Sequence, residues 1–91
     1  MNKIIVLGAG MVGSAMAIDM AQKHDVTVSD IDNKVLANVS EKCNKLKTLN
    51  LNVAIKSDLI KALQPFDLVI CAVPGFLGFE TLKTIIEAKK N

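Results

Sequence analysis

The chain has 91 residues, of which 51% are hydrophobic and 3% aromatic, and its formal net charge is +2. This composition is typical of a small globular α/β unit with an aliphatic core, and it excludes a disordered or fibrous chain. The basic residues are interspersed with acids and form no stripe, which argues against a nucleic-acid surface. We expect a single domain that is only part of a larger fold, with no room for a separate substrate domain.

The first predicted strand, Lys3 to Leu7, is apolar at consecutive positions, as expected for a central parallel strand that is covered on both faces. It leads into the glycine loop Gly8-Ala9-Gly10-Met11-Val12-Gly13, which has the spacing G-x-G-x-x-G. In dinucleotide-binding domains these glycines permit a tight turn, close approach of a pyrophosphate and packing of the next helix on the sheet. A purely structural turn is the alternative, because glycine-rich turns are common.

The helix after the loop is predicted from about Met11 to Lys23. The small residues Gly13, Ala17 and Ala21 form a narrow stripe that lets the helix axis lie close to the sheet. The methionines of this helix are interpreted as core residues. His24 follows the helix and is interpreted as a surface residue that interacts with the helix dipole, in preference to a catalytic base.

The second predicted strand, Val26 to Ser29, ends on Asp30. An acid at this distance from the glycine loop binds the ribose hydroxyls in dinucleotide-binding domains. Ile31 stands where domains that bind a 2′-phosphate often have an arginine, and the Asp30 charge would repel that phosphate. These residues predict NAD as the cofactor and make NADP the less favoured alternative.

Asp32 or Asn33 is predicted to cap the second helix, in which Leu36, Val39, Cys43 and Leu46 recur at intervals of three and four. Capping alone is sufficient to explain Asp32. The cysteines show neither a C-x-x-C motif nor the spacing of metal ligands. They are interpreted as reduced core thiols of a cytoplasmic protein, and no metal site is predicted.

The third strand is predicted at Leu51 to Ile55 and is followed by a short helix that Pro65 ends. Ser57 or Asp58 is expected to start this helix. These two residues have two interpretations, because they could cap the helix or contact an adenine from the end of the strand.

The fourth predicted strand, Leu68 to Val73, is a second continuous apolar run and is followed by a turn over Pro74 to Gly78. A last helix is expected to turn four apolar residues inward, namely Phe79, Leu82, Ile85 and Ile86.

Strands and helices in this alternation predict an α/β fold of the Rossmann type. Its parallel sheet has four strands in the order 3-2-1-4, with helices on both faces. Four residues after the fourth strand would then lie beside the middle of a dinucleotide, namely Ala72, Val73, Pro74 and Gly75. Strand four would form an open sheet edge, which predicts association into a homodimer.

The first residues resemble a secretory signal, because Lys3 precedes an uncharged run that reaches Ile18. The spacing of the three glycines argues against this interpretation. The run is also too short and too rich in glycine for a membrane span. We expect a cytoplasmic protein without membrane contact.

Three segments carry a family resemblance, namely Ile4 to Ala15, His24 to Asp30 and Asp67 to Phe79. They resemble the amino-terminal NAD(P)-binding domain of the saccharopine dehydrogenase and L-lysine dehydrogenase group. The Pro-Gly-Phe-Leu-Gly turn of the third segment is the discriminating motif. The resemblance covers the whole chain but only the first part of a family member.

The resemblance implies an NAD(P)-dependent oxidoreductase that transfers a hydride between a nicotinamide cofactor and a C–N bond of an amino acid. It implies that the pyrophosphate is surrounded by Gly8, Gly10, Met11, Val12 and Gly13. Asp30 would bind the adenosine ribose, Ser57 and Asp58 the adenine end, and the turn that begins at Ala72 the nicotinamide side. The family's substrate domain and catalytic groups lie beyond Asn91, so the chain is interpreted as a truncated part that is inactive alone.

The alternative is a nucleotide-sensing regulatory domain of a potassium-transport system, which is similar to the first part of the chain and catalyses nothing. Such domains usually carry a Gly-Asp-Ala-Thr type of segment after strand three, where this chain has Ile55-Lys56-Ser57-Asp58. The turn after strand four also differs from theirs.

Overall fold

The computed structural model describes residues 2–72 together with Lys83 and Ile86, which have helical backbone, and it describes Met11 and Val12 by their backbone alone. Over residues 2–72 strands and helices alternate, as expected for βαβ units. The elements are β1 (Lys3–Leu7), α1 (Met11–Met20), β2 (Asp25–Asp30), α2 (Asn33–Lys42), β3 (Lys47–Asn50), α3 (Lys56–Leu63) and β4 (Leu68–Cys71).

The strands of the described residues form one parallel sheet in the order β3-β2-β1-β4. Val6 in β1 pairs with Val28 of β2 on one side and with Ile70 of β4 on the other. This order confirms the predicted arrangement. The strand order reverses between β1 and β4, so the carboxyl ends of β1 and its neighbours form the edge at which ligands bind in such sheets.

Both faces of the sheet are covered, and the residues of β1 alternate between them. Ile4 and Val6 belong to a buried core that includes residues of α1 and α2. Ile5 and Leu7 belong to a second core, in which Leu59 of α3 is fully buried. The continuous apolar run in β1 is explained by this double coverage.

Helix α1 ends at Met20, before the predicted end at Lys23. Ala21 forms the C-cap and donates its N–H to the carbonyl of Ala17 at 2.9 Å, and the chain then turns back so that β2 can begin. The predicted stripe of small residues is confirmed, because Gly13, Ala17 and Ala21 are all buried. The helix therefore lies close to the sheet.

Strand β3 comprises Lys47–Asn50, so the predicted strand at Leu51 to Ile55 is wrong. The predicted stretch turns instead, because Asn52 accepts the N–H of Ala54 on its Oδ1 at 3.0 Å and the N–H of Ile55 on its carbonyl at 3.1 Å. Asparagine favours turns of this kind. The true strand lies at the sheet edge and exposes most of its side chains, so it lacks the apolar pattern of a buried strand.

Helices α2 and α3 begin differently. The Oδ1 of Asp32 accepts the N–H of Lys34 at 2.9 Å, so the predicted cap of α2 is confirmed. Helix α3 begins after Ile55, which makes no side-chain cap, and the prediction that Ser57 or Asp58 starts and caps it is wrong. The turn before α3 brings the chain into helical conformation earlier, so both residues lie in the first turn of the helix.

Helix α3 ends at Leu63, with Gln64 as its C-cap directly before Pro65, as predicted. The following strand β4 begins at Leu68 as predicted and extends to Cys71. The predicted last residue of this strand, Val73, lies outside the described residues, as do the turn over Pro74 to Gly78 and the predicted inward residues Phe79, Leu82 and Ile85.

Ile86 is 66% exposed, so the prediction that it faces inward is wrong. The spacing of apolar residues fixes their positions relative to one another around a helix, at about 100° per residue, but it does not fix the direction in which the helix packs. Within the described part of the chain, no helix combines the length and the apolar character needed to cross a membrane.

His24 and the two cysteines are half-buried. His24 is half-buried, and its Nδ1 is enclosed without a hydrogen-bond partner among the described residues, so its interpretation as a surface residue is wrong. Its backbone N–H donates to the carbonyl of Met20 at 3.0 Å, which holds it in the turn between α1 and β2. Cys43 packs against the first core and Cys71 against the second, both half-buried and outside any disulfide.

Candidate functional site

The glycine loop leaves the end of β1 and turns at Gly8, whose φ is 102°. Residues with a side chain rarely adopt this conformation, so the turn requires glycine. The Gly8 N–H donates to the carbonyl of Ser29 at 2.8 Å, and the Ser29 hydroxyl donates to the carbonyl of Val6 at 3.3 Å. The start of the loop is thus tied to both central strands.

Gly10 and Gly13 lack side chains for different reasons. A Cβ at Gly13 would collide with the carbonyl of Gly8 and would lie 3.2 Å from the Cβ of Ala72, so glycine is needed for this close packing of α1. A Cβ at Gly10 would meet no atom within 4 Å. Gly10 therefore borders open space at the start of α1, which a ligand can occupy and a side chain would fill.

The N-terminus of α1 presents backbone donors to this open space. The carbonyl of Gly10 accepts the N–H of Ser14 at 2.8 Å. The amides of the preceding turn, Met11 to Gly13, come before this bond and have no acceptor within the helix. Helix α1 has no side-chain cap and no acidic residue in its first turn. The donors and the positive end of the helix dipole therefore favour an anion here.

Ser14 supports the loop from the helix side. Its hydroxyl donates to the carbonyl of Ala9 at 2.7 Å, and the residue is 8% exposed. A buried hydroxyl needs such a partner, and the bond holds the middle of the loop on the first turn of α1. Ser14 is absent from the predicted site residues, although a small hydroxyl side chain directly after the last glycine was the available signal.

Asp30 lies at the carboxyl end of β2, beside the glycine loop. Its Oδ2 accepts the N–H of Ala9 at 2.9 Å, and its Oδ1 accepts the N–H of Asp32 at 2.9 Å. The structure thus brings the predicted acid and the loop together. Each carboxylate oxygen can accept about two hydrogen bonds, so both retain capacity for a ligand hydroxyl. The two bonds orient the carboxylate before any ligand arrives.

Asn50, the last residue of β3, holds the segment that follows Asp30. Its Nδ2 donates to the carbonyl of Ile31 at 3.0 Å and to the Oδ1 of Asn33 at 2.8 Å. A backbone carbonyl can only accept, so the bond to Ile31 assigns the amide nitrogen to this side. Asn50 is absent from the predicted site residues because the third strand was predicted to begin only at Leu51.

The remaining predicted contact residues are placed around this centre. Ser57 and Asp58 are exposed in the first turn of α3, which follows β3. Ala72 follows β4 and donates its N–H to the carbonyl of Leu7 at 2.8 Å, which places it beside the glycine loop. Outside the description lie Val73, Pro74 and Gly75 and the side chains of Met11 and Val12.

A groove of about 440 Å³ runs between α1 and α2 and borders Gly10. Its walls include Ser14 and Ile18 on α1 and Asn38 and Lys42 on α2. Among the described residues, no cluster of His, Cys, Asp and Glu could hold a metal ion. The described chemistry at this edge of the sheet includes backbone N–H donors and the Asp30 carboxylate, which suit an anion that also carries hydroxyl groups.

A parallel sheet with a glycine loop after its first strand and an acid at the end of its second strand defines the class of Rossmann-type dinucleotide-binding domains. Sequence comparison specifies the family, because the model of the saccharopine dehydrogenase NADP binding domain matches residues 4–91. The chain belongs to this family and is a nicotinamide-dinucleotide-binding domain.

Individual relatives are dehydrogenases. A prephenate dehydrogenase of Lactococcus lactis subsp. cremoris is 29% identical over 86 residues, which are 93% of this chain and 22% of the relative. Apo saccharopine dehydrogenase (L-Glu forming) from Saccharomyces cerevisiae is structurally similar, with a TM-score of 0.83 and 26% identity over 99% of this chain and 20% of that enzyme. A 3-hydroxyacyl-CoA dehydrogenase of Archaeoglobus fulgidus shares the fold, with a TM-score of 0.72 and 24% identity over 98% of this chain and 30% of that chain. The chain thus spans 20% to 30% of the length of these proteins.

Proposed function

We propose that the protein binds a nicotinamide dinucleotide across the carboxyl edge of its sheet, as the cofactor-binding part of an oxidoreductase. The observation that carries this proposal is the open space at Gly10, which is bordered by the first amides of α1 and lies next to the Asp30 carboxylate. A site for an anion beside an acceptor for hydroxyl groups suits the pyrophosphate and ribose of one ligand.

The pyrophosphate is proposed to lie over the glycine loop, because the absence of a side chain at Gly10 permits contact with the backbone. The residues proposed to surround it are Gly8, Gly10, Met11, Val12 and Gly13. In this arrangement the loop binds phosphate through N–H groups and the helix dipole, without a charged side chain.

For the adenosine ribose we propose Asp30 as the binding residue and NAD as the preferred cofactor, although the family is named for NADP. Asp30 and Asp32 place two carboxylates at the start of α2, and a 2′-phosphate beside them would be repelled. The chain contains no arginine. Lys34 follows this turn, but its charge is exposed and hydrated, so it offsets the repulsion only weakly.

The two ends of the dinucleotide are proposed to lie on opposite sides of the glycine loop. Ser57 and Asp58, after β3, would contact the adenine end. Ala72 and the following Val73, Pro74 and Gly75, after β4, would lie on the nicotinamide side. The sheet order supports this direction, because β3 and β4 are at opposite ends of the sheet.

The oxidoreductase is proposed to act on a C–N bond of an amino acid, and the bound nicotinamide would supply the hydride transfer. The similarity to a saccharopine dehydrogenase supports this substrate class. We assign no residue of this chain to catalysis and propose that substrate contacts come from protein outside its 91 residues. The chain alone then binds the cofactor without turning over an amino acid.

Isothermal titration of the protein with NAD, NADP and ATP tests the proposed function. We expect NAD to bind more tightly than NADP and both to bind more tightly than ATP. Gly10→Val should abolish dinucleotide binding, because its side chain fills the open space, whereas Ala37→Val on the exposed side of α2 should not. A wild-type protein that binds no dinucleotide, or that prefers ATP, would contradict the proposal, and the second result would favour a nucleotide sensor.

A further inference from the structure

We propose that Asn50 is a positioning residue of the cofactor site, which orients the Asp30 carboxylate by clamping the turn between β2 and α2 and so sets the preference for NAD over NADP. The inference rests on the proposed function. The Asn50 amide nitrogen donates two hydrogen bonds, at 3.0 Å to the carbonyl of Ile31 and at 2.8 Å to the Oδ1 of Asn33.

The sheet places Asn50 where it can clamp this turn. Asn50 is the register partner of Asp30, so the two residues are neighbours at the carboxyl ends of β3 and β2. Leu49, one residue earlier, packs against the core on the α3 face. Side chains alternate along a strand, so Asn50 points to the other face, on which the N-terminus of α2 lies. The main chain adds a further tie, because the Leu51 N–H donates to the carbonyl of Asp30 at 3.1 Å.

The clamp reaches the Asp30 carboxylate through the turn itself. The Oδ1 of Asp30 is held by the N–H of Asp32, which lies between the two residues that Asn50 holds. The Oδ2 is held by the N–H of Ala9 in the glycine loop. The orientation of the carboxylate thus depends on two anchors, and Asn50 fixes the one that belongs to the turn.

The structure separates this role from a contribution to stability. Asn50 is exposed on an edge strand, and both bonds of its amide go to the turn and not to the sheet. Groups freed in an exposed turn are hydrated by water, so losing the clamp removes little stability. The turn gains freedom, however, and the carboxylate samples orientations that no longer match the ribose hydroxyls.

Asn50→Ala tests the proposal, with Thr48→Ala as its matched control because Thr48 is exposed on the same face of the same strand. We expect Asn50→Ala to weaken NAD binding by about threefold to tenfold, the range for losing oriented hydrogen bonds. Binding of NADP should change less than about twofold, because the carboxylate opposes that cofactor. The ratio of NAD affinity to NADP affinity therefore decreases. A uniform loss of folded protein would leave this ratio unchanged.

Asn33→Ala and the double variant Asn33→Ala/Asn50→Ala sharpen the test. If both side chains act through one bond, the double variant should weaken NAD binding by less than the product of the two single effects. NAD affinity of Asn50→Ala within twofold of wild type would overturn the proposal. It would equally be overturned by matching losses for NAD and NADP, or by a Thr48→Ala variant that behaves in the same way.

Amide hydrogen exchange without cofactor gives a readout that does not depend on the proposed function. The Asp32 N–H should exchange several-fold faster in Asn50→Ala, while the N–H of Val28 in the centre of β2 should be unchanged. Failure of the wild type to bind either dinucleotide would refute the proposed function, and with it the cofactor role of Asn50. Unchanged exchange at Asp32 would refute the clamp even in a protein that binds NAD.

Discussion

At the scale of single residues, the glycines of the loop meet different physical requirements. Gly8 has a positive φ, Gly13 lies where a Cβ would collide with the Gly8 carbonyl, and Gly10 borders open space. Their spacing predicts a dinucleotide-binding loop, but only the packing around each position shows which glycine serves the fold and which is free to serve a ligand.

Gly13→Ala and Gly10→Ala should therefore affect different properties, namely the stability of the fold and the affinity for NAD. We expect Gly13→Ala to lower the free energy of unfolding by about 1–3 kcal/mol, because overpacking outweighs the helix preference of alanine. Gly10→Ala should change it by less than about 1 kcal/mol but should weaken NAD binding at least roughly tenfold, because the methyl group occupies the proposed pyrophosphate space. Urea unfolding followed by circular dichroism and titration with NAD measure the two effects. Equal destabilisation by both substitutions would contradict this separation.

Asp30 combines a proposed ligand role with a structural one. Asp30→Ser should weaken NAD binding more than NADP binding, because it removes both the ribose acceptor and the charge that opposes a 2′-phosphate. It should also cost about 1–3 kcal/mol of stability, since two backbone N–H groups lose a charged acceptor. Asp19→Ser, on the exposed side of α1, is the control for the change in net charge. Calorimetric titration that shows equal losses for both cofactors would remove Asp30 from the ribose.

At the scale of elements, the apolar pattern predicts strands β1, β2 and β4 well and strand β3 poorly. A central parallel strand is apolar because both faces are covered, whereas β3 exposes most of its side chains. Local turn chemistry at Asn52 then decides where α3 begins. Such boundaries depend on hydrogen bonds that periodicity does not report.

The start of α3 offers a stabilising substitution. Ile55 is the N-cap, is 45% exposed and makes no side-chain cap, and its backbone is extended. Ile55→Asp should make α3 more stable than Ile55→Ala by about 0.5–2 kcal/mol, because an aspartate in this conformation accepts a free N–H of the first turn. Thermal unfolding of the two variants measures the difference. Equal melting temperatures of the two variants would contradict the prediction that a side-chain cap stabilises the N-terminus of α3.

At the scale of the whole molecule, the order of the strands determines where the candidate site lies and which of the described strands are outermost in the sheet. The crossovers place α1 and α2 on one face of the sheet and α3 on the other. Because β1 and β2 are parallel, the glycine loop and Asp30 meet at the carboxyl ends of these strands. In the described residues β4 pairs only with β1, and Leu68 is 36% exposed.

Because β4 pairs only with β1 among the described residues, we propose that its other side mediates self-association of the 91-residue chain. We expect sedimentation equilibrium to show dimers or larger species as the concentration rises. Leu68→Lys should shift the protein toward monomer, because a charged edge residue disfavours strand pairing. Ile31→Lys is the control, because Ile31 is a hydrophobic residue that is 62% exposed and lies away from β4. This substitution should leave the self-association unchanged. A protein that stays monomeric at high concentration would refute the prediction.

The sequence by itself determined the fold class, the strand order, the glycine loop and the acid that the structure places beside it. These features follow from local spacing and from the apolar runs that double coverage of a sheet imposes. Only the tertiary structure decided the position of β3, the uncapped start of α3 and the half-buried place of His24. It also revealed how Asn50 holds the turn after Asp30, because hydrogen bonds between residues distant in sequence arise from the packing of strands and leave no periodic signal along the chain.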